Sequence, residues 1–148
     1  MAVTFRRLER GSLDLMLDLS AQLYAREGLE WNRARSLRAA EELIAEPERG
    51  GIWQIGVDGE PAGYLVLTIC FSLEFGGRFG LLDEIFIADA WRGRGIGSEA
   101  LDFAAEWCRE RGIQALRLEV WTGNAGAIRL YQRAGFALEQ RHLMTKQL

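Results

Sequence analysis

The chain has 148 residues, enough for one domain with a full core, and 49% hydrophobic with 26% charged residues is an ordinary globular profile. A formal net charge of −3 offers no global basic field to nucleic acid or to an anionic membrane surface. No apolar run approaches the roughly 20 residues of a membrane span, and the start, Met1 to Arg7, lacks an apolar signal core, which predicts a cytoplasmic protein.

Val3 to Arg6 alternates apolar and polar residues and predicts a short strand. Ser12 is placed to cap a helix with Leu13, Met16, Leu17 and Leu23 on one face, interrupted at Gly28. Asn32 to Glu46 predicts a second helix, ended by Pro47 and Gly50-Gly51. Ile52 to Val57 and Ala62 to Phe71 predict two strands, joined by Asp58-Gly59, a favoured dipeptide for a two-residue hairpin turn. Ser72 to Phe79, with Gly76-Gly77, reads as a loop, and Leu81 to Ile87 as the next strand. Glu99 to Arg111 carries Leu101, Ala104, Ala105 and Cys108 at helical spacing, and Gly112 stops the helix. Ile113 to Trp121 predicts a strand, and Asn124 caps a helix from Ala125 to Ala134 that Gly135 ends. Phe136 to Leu148 offers one or two closing strands. There is no repeat, low-complexity tract or linker, so residues 1–148 read as a single domain. The order predicts an α+β, mixed α/β fold, with helices over a largely antiparallel sheet. The strands at 81–87 and 113–121 are expected to run parallel, because a helix crosses over between them.

The most informative stretch is Arg92-Gly93-Arg94-Gly95-Ile96-Gly97-Ser98, between a strand and a helix. A glycine-rich turn there exposes unpaired N–H groups at a helix N-terminus, where the dipole also favours an anion. The flanking arginines suggest a phosphate. A Walker A loop needs Gly-Lys-Ser/Thr, and no lysine is present here. A dinucleotide fingerprint needs a third glycine where Ser98 stands. A bare connection without a ligand accounts poorly for three alternating glycines, each of which costs backbone entropy on ordering. The cysteines, Cys70 and Cys108, lie far apart and form no metal-ligand cluster; the single histidine, His142, excludes a multi-histidine metal site, so no metal is expected.

Leu82-Asp83-Glu84-Ile85-Phe86-Ile87 followed by Arg92-Gly93-Arg94-Gly95-Ile96-Gly97 resembles the acetyl-CoA site of the GNAT superfamily of N-acetyltransferases. Arg92, Gly95 and Gly97 match the fixed positions of its Gln/Arg-x-x-Gly-x-Gly/Ala signature. Asn124 to Phe136 resembles a second signature, Asn-x-x-Ala-x-x-Leu-Tyr-x-x-x-Gly-Phe. Asp89 departs from the family, where many members have a proline nearby. The resemblance implies a GNAT-like sheet of six to seven strands flanked by about four helices, acetyl-CoA as co-substrate, and a homodimer.

It also implies roles. The backbone of Arg92, Gly93, Arg94, Gly95, Ile96, Gly97 and Ser98 would cradle the pyrophosphate. Ile85, Phe86 and Ile87 would pair through their main chain with the pantetheine arm. Asn124 would cap its helix and touch the cofactor. Tyr131, seven positions after Asn124, would protonate the departing thiolate; a core tyrosine with a satisfied hydroxyl is the competing reading. Asp83 and Glu84 would serve the amine as base or cation partner, as in the diamine and polyamine acetyltransferases. Neighbouring strand residues face opposite ways, so only one should enter the site unless a bulge intervenes. Glu119 is a third acidic candidate, and Tyr24, Trp31 and the loop 71–78 would shape the acceptor side. The expected activity is direct acetyl transfer to a primary amine, with a cationic small molecule such as a polyamine or aminoglycoside as acceptor. A protein N-terminus or lysine as acceptor, or a non-catalytic acyl-CoA-binding module, are the alternatives.

Overall fold

A computed structural model describes all residues, 1–148. Five strands form one sheet in the order β1 (Val3–Arg7), β2 (Gly50–Val57), β3 (Glu60–Ser72), β4 (Gly77–Ile87), β5 (Leu116–Leu118). The first four pair antiparallel, while β4 and β5 run parallel. Four helices accompany them: α1 (Asp14–Glu27), α2 (Arg33–Ala45), α3 (Ile96–Glu110) and α4 (Ala125–Arg133). None is long and apolar enough to cross a membrane.

Strand alternation sorts the apolar residues onto two faces. Trp53, Ile55, Leu65, Leu67 and Leu82 pack with Ile96, Ala100, Leu101, Ala104 and Trp107 of α3. Ile52, Tyr64, Val66 and Phe86 pack with Met16, Leu17 and Leu23 of α1 and Ala40 of α2. Each fully buried large side chain contributes about 1.5–3 kcal/mol, so both layers are needed to hold the sheet. The β2–β3 turn has Asp58 at φ 49° and Gly59 at φ 86°, the left-handed pair of the expected two-residue hairpin. Gly80 lets β4 lie close to its cover, because a Cβ there would sit 2.6 Å from Cys108 Sγ.

The structure corrects several expectations. The sheet has five strands, not six or seven. Residues after Phe136 form no closing strand, and Leu138, Leu143, Met144 and Leu148 face solvent. A strand needs an apolar face to bury, and here the segment is instead tied down by charge: Arg141 grips Glu74 at 2.8 and 2.7 Å. The expected loop at 72–79 is shorter, because a 3₁₀ turn at Leu73–Phe75 lets β4 begin at Gly77. The strand expected over 113–121 shrinks to Leu116–Leu118, and α3 starts at Ile96 rather than Glu99. Ser12 does not cap α1; its hydroxyl donates to Glu9 O at 2.9 Å, and Leu13 takes the capping position.

The feature that shapes the site lies in β4. Val66 pairs with Glu84 and Leu67 with Leu82, so Asp83 is an extra residue, a β-bulge. Pairing with β5 also stops at Leu82↔Leu118. β4 then runs five residues further, to Ile87, with no strand on that side. The sheet splits open there.

Candidate active site

The split widens into a groove of about 220 Å³ lined by eleven residues. Its chemistry comes from Glu27 and Tyr24 of α1, Asp83 and Glu84 of β4, Glu119 just past β5, and Tyr131 of α4. Leu23, Leu29, Leu82, Ile85 and Leu118 supply its apolar walls. Four carboxylates therefore face one space, and no Lys or Arg lines it. No three of them come together as metal ligands do.

The bulge explains why both members of the acidic pair line the groove. In a regular strand, Leu82 and Glu84 would share a face. The extra residue reverses the alternation, so Leu82 and Ile85 pack on the α3 side while Glu84 joins the α1 side. Glu84 Oε2 accepts from Tyr24 Oη at 2.6 Å, and Oε1 accepts from Tyr64 Oη at 2.8 Å. Burial pushes the Glu84 carboxyl above its ordinary value, and the two hydroxyl bonds pull against that rise. Both tyrosines are pushed up as well, by burial first and then by the Glu84 charge, so both stay protonated donors. Asp83 keeps contact with solvent but has crowded walls, which raise its carboxyl; the Glu119 charge adds to this. Tyr131 is half-buried, and burial followed by the Glu27 charge raises its phenol, so it too is protonated at neutral pH. Its ring meets Phe136 edge-on at 6.1 Å.

Next to the groove, the glycine-rich turn delivers the start of α3. Gly95 caps α3 in the left-handed conformation, φ 80°, with no side chain to satisfy the first N–H groups. By contrast, α2 and α4 are capped by side chains: Asn32 accepts from Arg35 N at 2.9 Å and Asn124 from Ala127 N at 3.1 Å. The N–H groups of Ile96, Gly97 and Ser98 are thus left free for an anion. A Cβ on Gly93 or Gly95 would meet open space, which is the room a phosphate needs. Gly97 has a different job: a Cβ there would lie 3.2 Å from Leu130 Cδ2, so it lets α4 pack on α3.

The arginines turn inward or stack. Arg92 Nε donates to Ile87 O at 2.9 Å and lies 3.4 Å from Asp89. Arg26 of α1 also bonds Asp89, and the guanidiniums of Arg26 and Arg92 flank the Phe86 ring at 5.2 and 5.5 Å. Asp89 therefore ties α1 to the turn. Arg94 stacks on Trp91 at 5.0 Å. Trp31 lies outside the groove, its Nε1 donating to Ser20 Oγ at 3.2 Å, and the tip at 71–78 does not line the groove either.

Sequence reasoning missed Glu27 and Tyr64. Glu27 ends α1, where the helix dipole disfavours an anion, so it carried a weak signal. Tyr64 opens the apolar run through Leu67, and a buried phenol needs a partner for its hydroxyl.

The model of the acetyltransferase (GNAT) family matches residues 16–136. The chain belongs to the GNAT family of acetyltransferases. It is 28% identical over 137 residues to an uncharacterized N-acetyltransferase of Methanocaldococcus jannaschii, covering 90% of this chain and 60% of that one. It is 39% identical over 83 residues to a streptothricin acetyltransferase of Streptomyces lavendulae, covering 56% of this chain and 42% of that one. It thus spans less than two thirds of the length of both relatives. A predicted acetyltransferase of Clostridium acetobutylicum, solved with acetyl-CoA, shares the fold at TM-score 0.82 and 17% identity, over 98% of this chain and 96% of that one.

Proposed function

We propose that the groove is the transfer site of an acetyl-CoA-dependent N-acetyltransferase whose acceptor is a small cationic amine, such as a polyamine or aminoglycoside. One observation carries this reading: beyond Leu82 the open edge of β4 leads into a groove with four carboxylates, no cation and a protonated Tyr131 at its wall.

The residues present fit the donor. Free N–H groups of Ile96, Gly97 and Ser98, with Gly93 and Gly95 leaving space before them, suit a pyrophosphate. The edge at Ile85, Phe86 and Ile87, which no strand pairs, suits a peptide-like arm, which adds to a sheet as a strand would. Arg92 holds the end of that edge through Ile87 O and contributes charge nearby. The structure of the Clostridium acetobutylicum protein with acetyl-CoA and the name of the streptothricin enzyme support the donor and an amine acceptor, respectively.

The acceptor arrives protonated, with a pKa near ~10 for an alkyl amine. The carboxylates attract it, and the acidic pair takes one proton so that the nitrogen lone pair can attack the acetyl carbonyl. As the carbon–sulfur bond breaks, Tyr131 donates its hydroxyl proton to the thiolate. Tyr131 recovers a proton from the acylated nitrogen, so one proton is released per turnover. The test is thiol release from acetyl-CoA across a panel of polyamines, aminoglycosides, amino acids and peptides. Release with cationic small molecules supports the reading. Binding of acetyl-CoA without release on any amine would instead favour a non-catalytic module.

A further inference from the structure

We infer that the adjacent carboxylates divide the labour: Glu84, clamped by Tyr24 and Tyr64, is a fixed anion that anchors the acceptor ammonium, and Asp83 takes its proton. This rests on the transferase reading above.

The geometry separates the two groups. Each Glu84 oxygen already accepts a phenol hydroxyl, at 2.6 and 2.8 Å. Such donors favour the ionised form, and protonating either oxygen would compete with one of them. Each oxygen retains a lone pair for an N–H of the acceptor. Tyr64, at 0% exposure, and Tyr24 occupy both carboxylate oxygens from the rear, and Glu84 is less exposed to solvent than Asp83. Tyr64 is thus a positioning residue, acting through Glu84.

Asp83 differs on every count. It stands on the bulge, has no hydrogen-bond partner, and remains in contact with solvent. It lines both the groove and a second, wider cavity of about 580 Å³ between α2 and β3. That cavity is a route by which a proton taken from the amine reaches water. The groups facing the pair are Tyr24 and Glu27 from α1, Tyr64 from β3, Glu119 past β5 and Tyr131 from α4. From the second cavity come Glu42 of α2 and Arg49. Arg49 is engaged by Glu46 at 2.7 Å and approaches Glu42 at 3.8 Å, so it is no close counter-ion to Asp83. In the step itself, R–NH₃⁺ and Asp83–COO⁻ become R–NH₂ and Asp83–COOH. The freed lone pair attacks, and Asp83 returns its proton to water through the second cavity.

The test measures kcat and KM against pH, by thiol release from acetyl-CoA with 1,3-diaminopropane, spermidine and kanamycin. Asp83→Asn is expected to lower kcat about 100-fold or more near neutral pH and to regain rate as pH rises toward the amine's own pKa near ~10. Glu84→Gln is expected to act mainly on the amine, raising its KM about tenfold while keeping the acidic limb of the wild-type profile. Tyr64→Phe, which retains the charge, should raise the amine KM about threefold in the same direction. Stabilisation by acetyl-CoA in a thermal shift confirms that each variant folds; should Glu84→Gln fail to fold, Tyr64→Phe and Tyr24→Phe carry the test. Loss of kcat and of the acidic limb in Glu84→Gln, with Asp83→Asn retaining both, overturns the division. Equal loss in both variants overturns it in favour of a shared pair. No thiol release by the wild type on any amine would sink the transferase reading, and the division with it.

Discussion

Gly63→Ala tests the geometry of the open sheet edge. Gly63 in β3 pairs with Ile87, the last residue of β4, and a Cβ there would lie 2.1 Å from Phe86 O. It would also lie 3.2 Å from Ile87 Cα. A carbon needs about 3.3 Å from a carbonyl oxygen, so the strands must part by roughly 1 Å or twist. Overpacking of this kind costs ~1–3 kcal/mol. The neighbouring bond from Ala88 N to Ala62 O, 2.8 Å long, would stretch or break, and each such lost bond costs ~0.5–1.5 kcal/mol more. A total of about 3 kcal/mol lowers Tm by roughly 6–12 °C in a domain of this size. Thermal unfolding by circular dichroism, with and without acetyl-CoA, reads the effect. The shift caused by acetyl-CoA should shrink too, because Ile85 to Ile87 move with the strand. A Tm within about 2 °C of wild type, with full stabilisation by acetyl-CoA, would refute the close approach of β3 and β4 here.

Tyr131→Phe should lower kcat about 10²- to 10³-fold while leaving the acetyl-CoA KM nearly unchanged; steady-state thiol release reads both, and unchanged turnover would remove Tyr131 as the acid. Gly126→Ala in α4 should stabilise the fold by ~0.5–1 kcal/mol, since a Cβ there has only Arg129 Nη2 at 3.8 Å; a lower Tm would show the added methyl is not accommodated. Gly97→Leu should destabilise, because its side chain would enter the space of Leu130, 3.2 Å from the Cβ position; a Tm equal to wild type would show that α4 does not pack there. The acidic pair sets a pH dependence. Both carboxyls are raised in the folded state, so their contribution to stability is present below the unfolded values of about 3.9 and 4.3 and is lost as pH rises through the folded ones. The Tm of the Asp83→Asn, Glu84→Gln double variant minus that of wild type should therefore grow as pH rises above ~4. A difference that is flat or shrinks contradicts the shifts.

Much of the fold was legible locally. Asp58-Gly59 announced its hairpin, Gly28 ended α1 in the left-handed conformation, and Asn124 caps its helix as expected, while Asn32, expected as the first helical residue, turns out to be the cap of α2. These signals act over a few residues, where propensity and capping decide. The glycine-rich turn was equally plain, although Gly97 proved to serve helix packing. The tail from Phe136 to Leu148 was expected to offer one or two closing strands, but its apolar residues are scattered among charged ones and supply no face to bury.

The sequence by itself determined the proposed donor cradle: a strand, a turn with unencumbered N–H groups and a helix are consecutive, so their geometry is set by neighbours. The acceptor side was decided only in three dimensions. Glu84 is clamped by Tyr24 and Tyr64, sixty and twenty residues away. The bulge that puts Asp83 and Glu84 on one groove arises from how β4 pairs with β3. Strand register is settled by which apolar faces can be buried together, and that is a property of the packed sheet rather than of any segment in it.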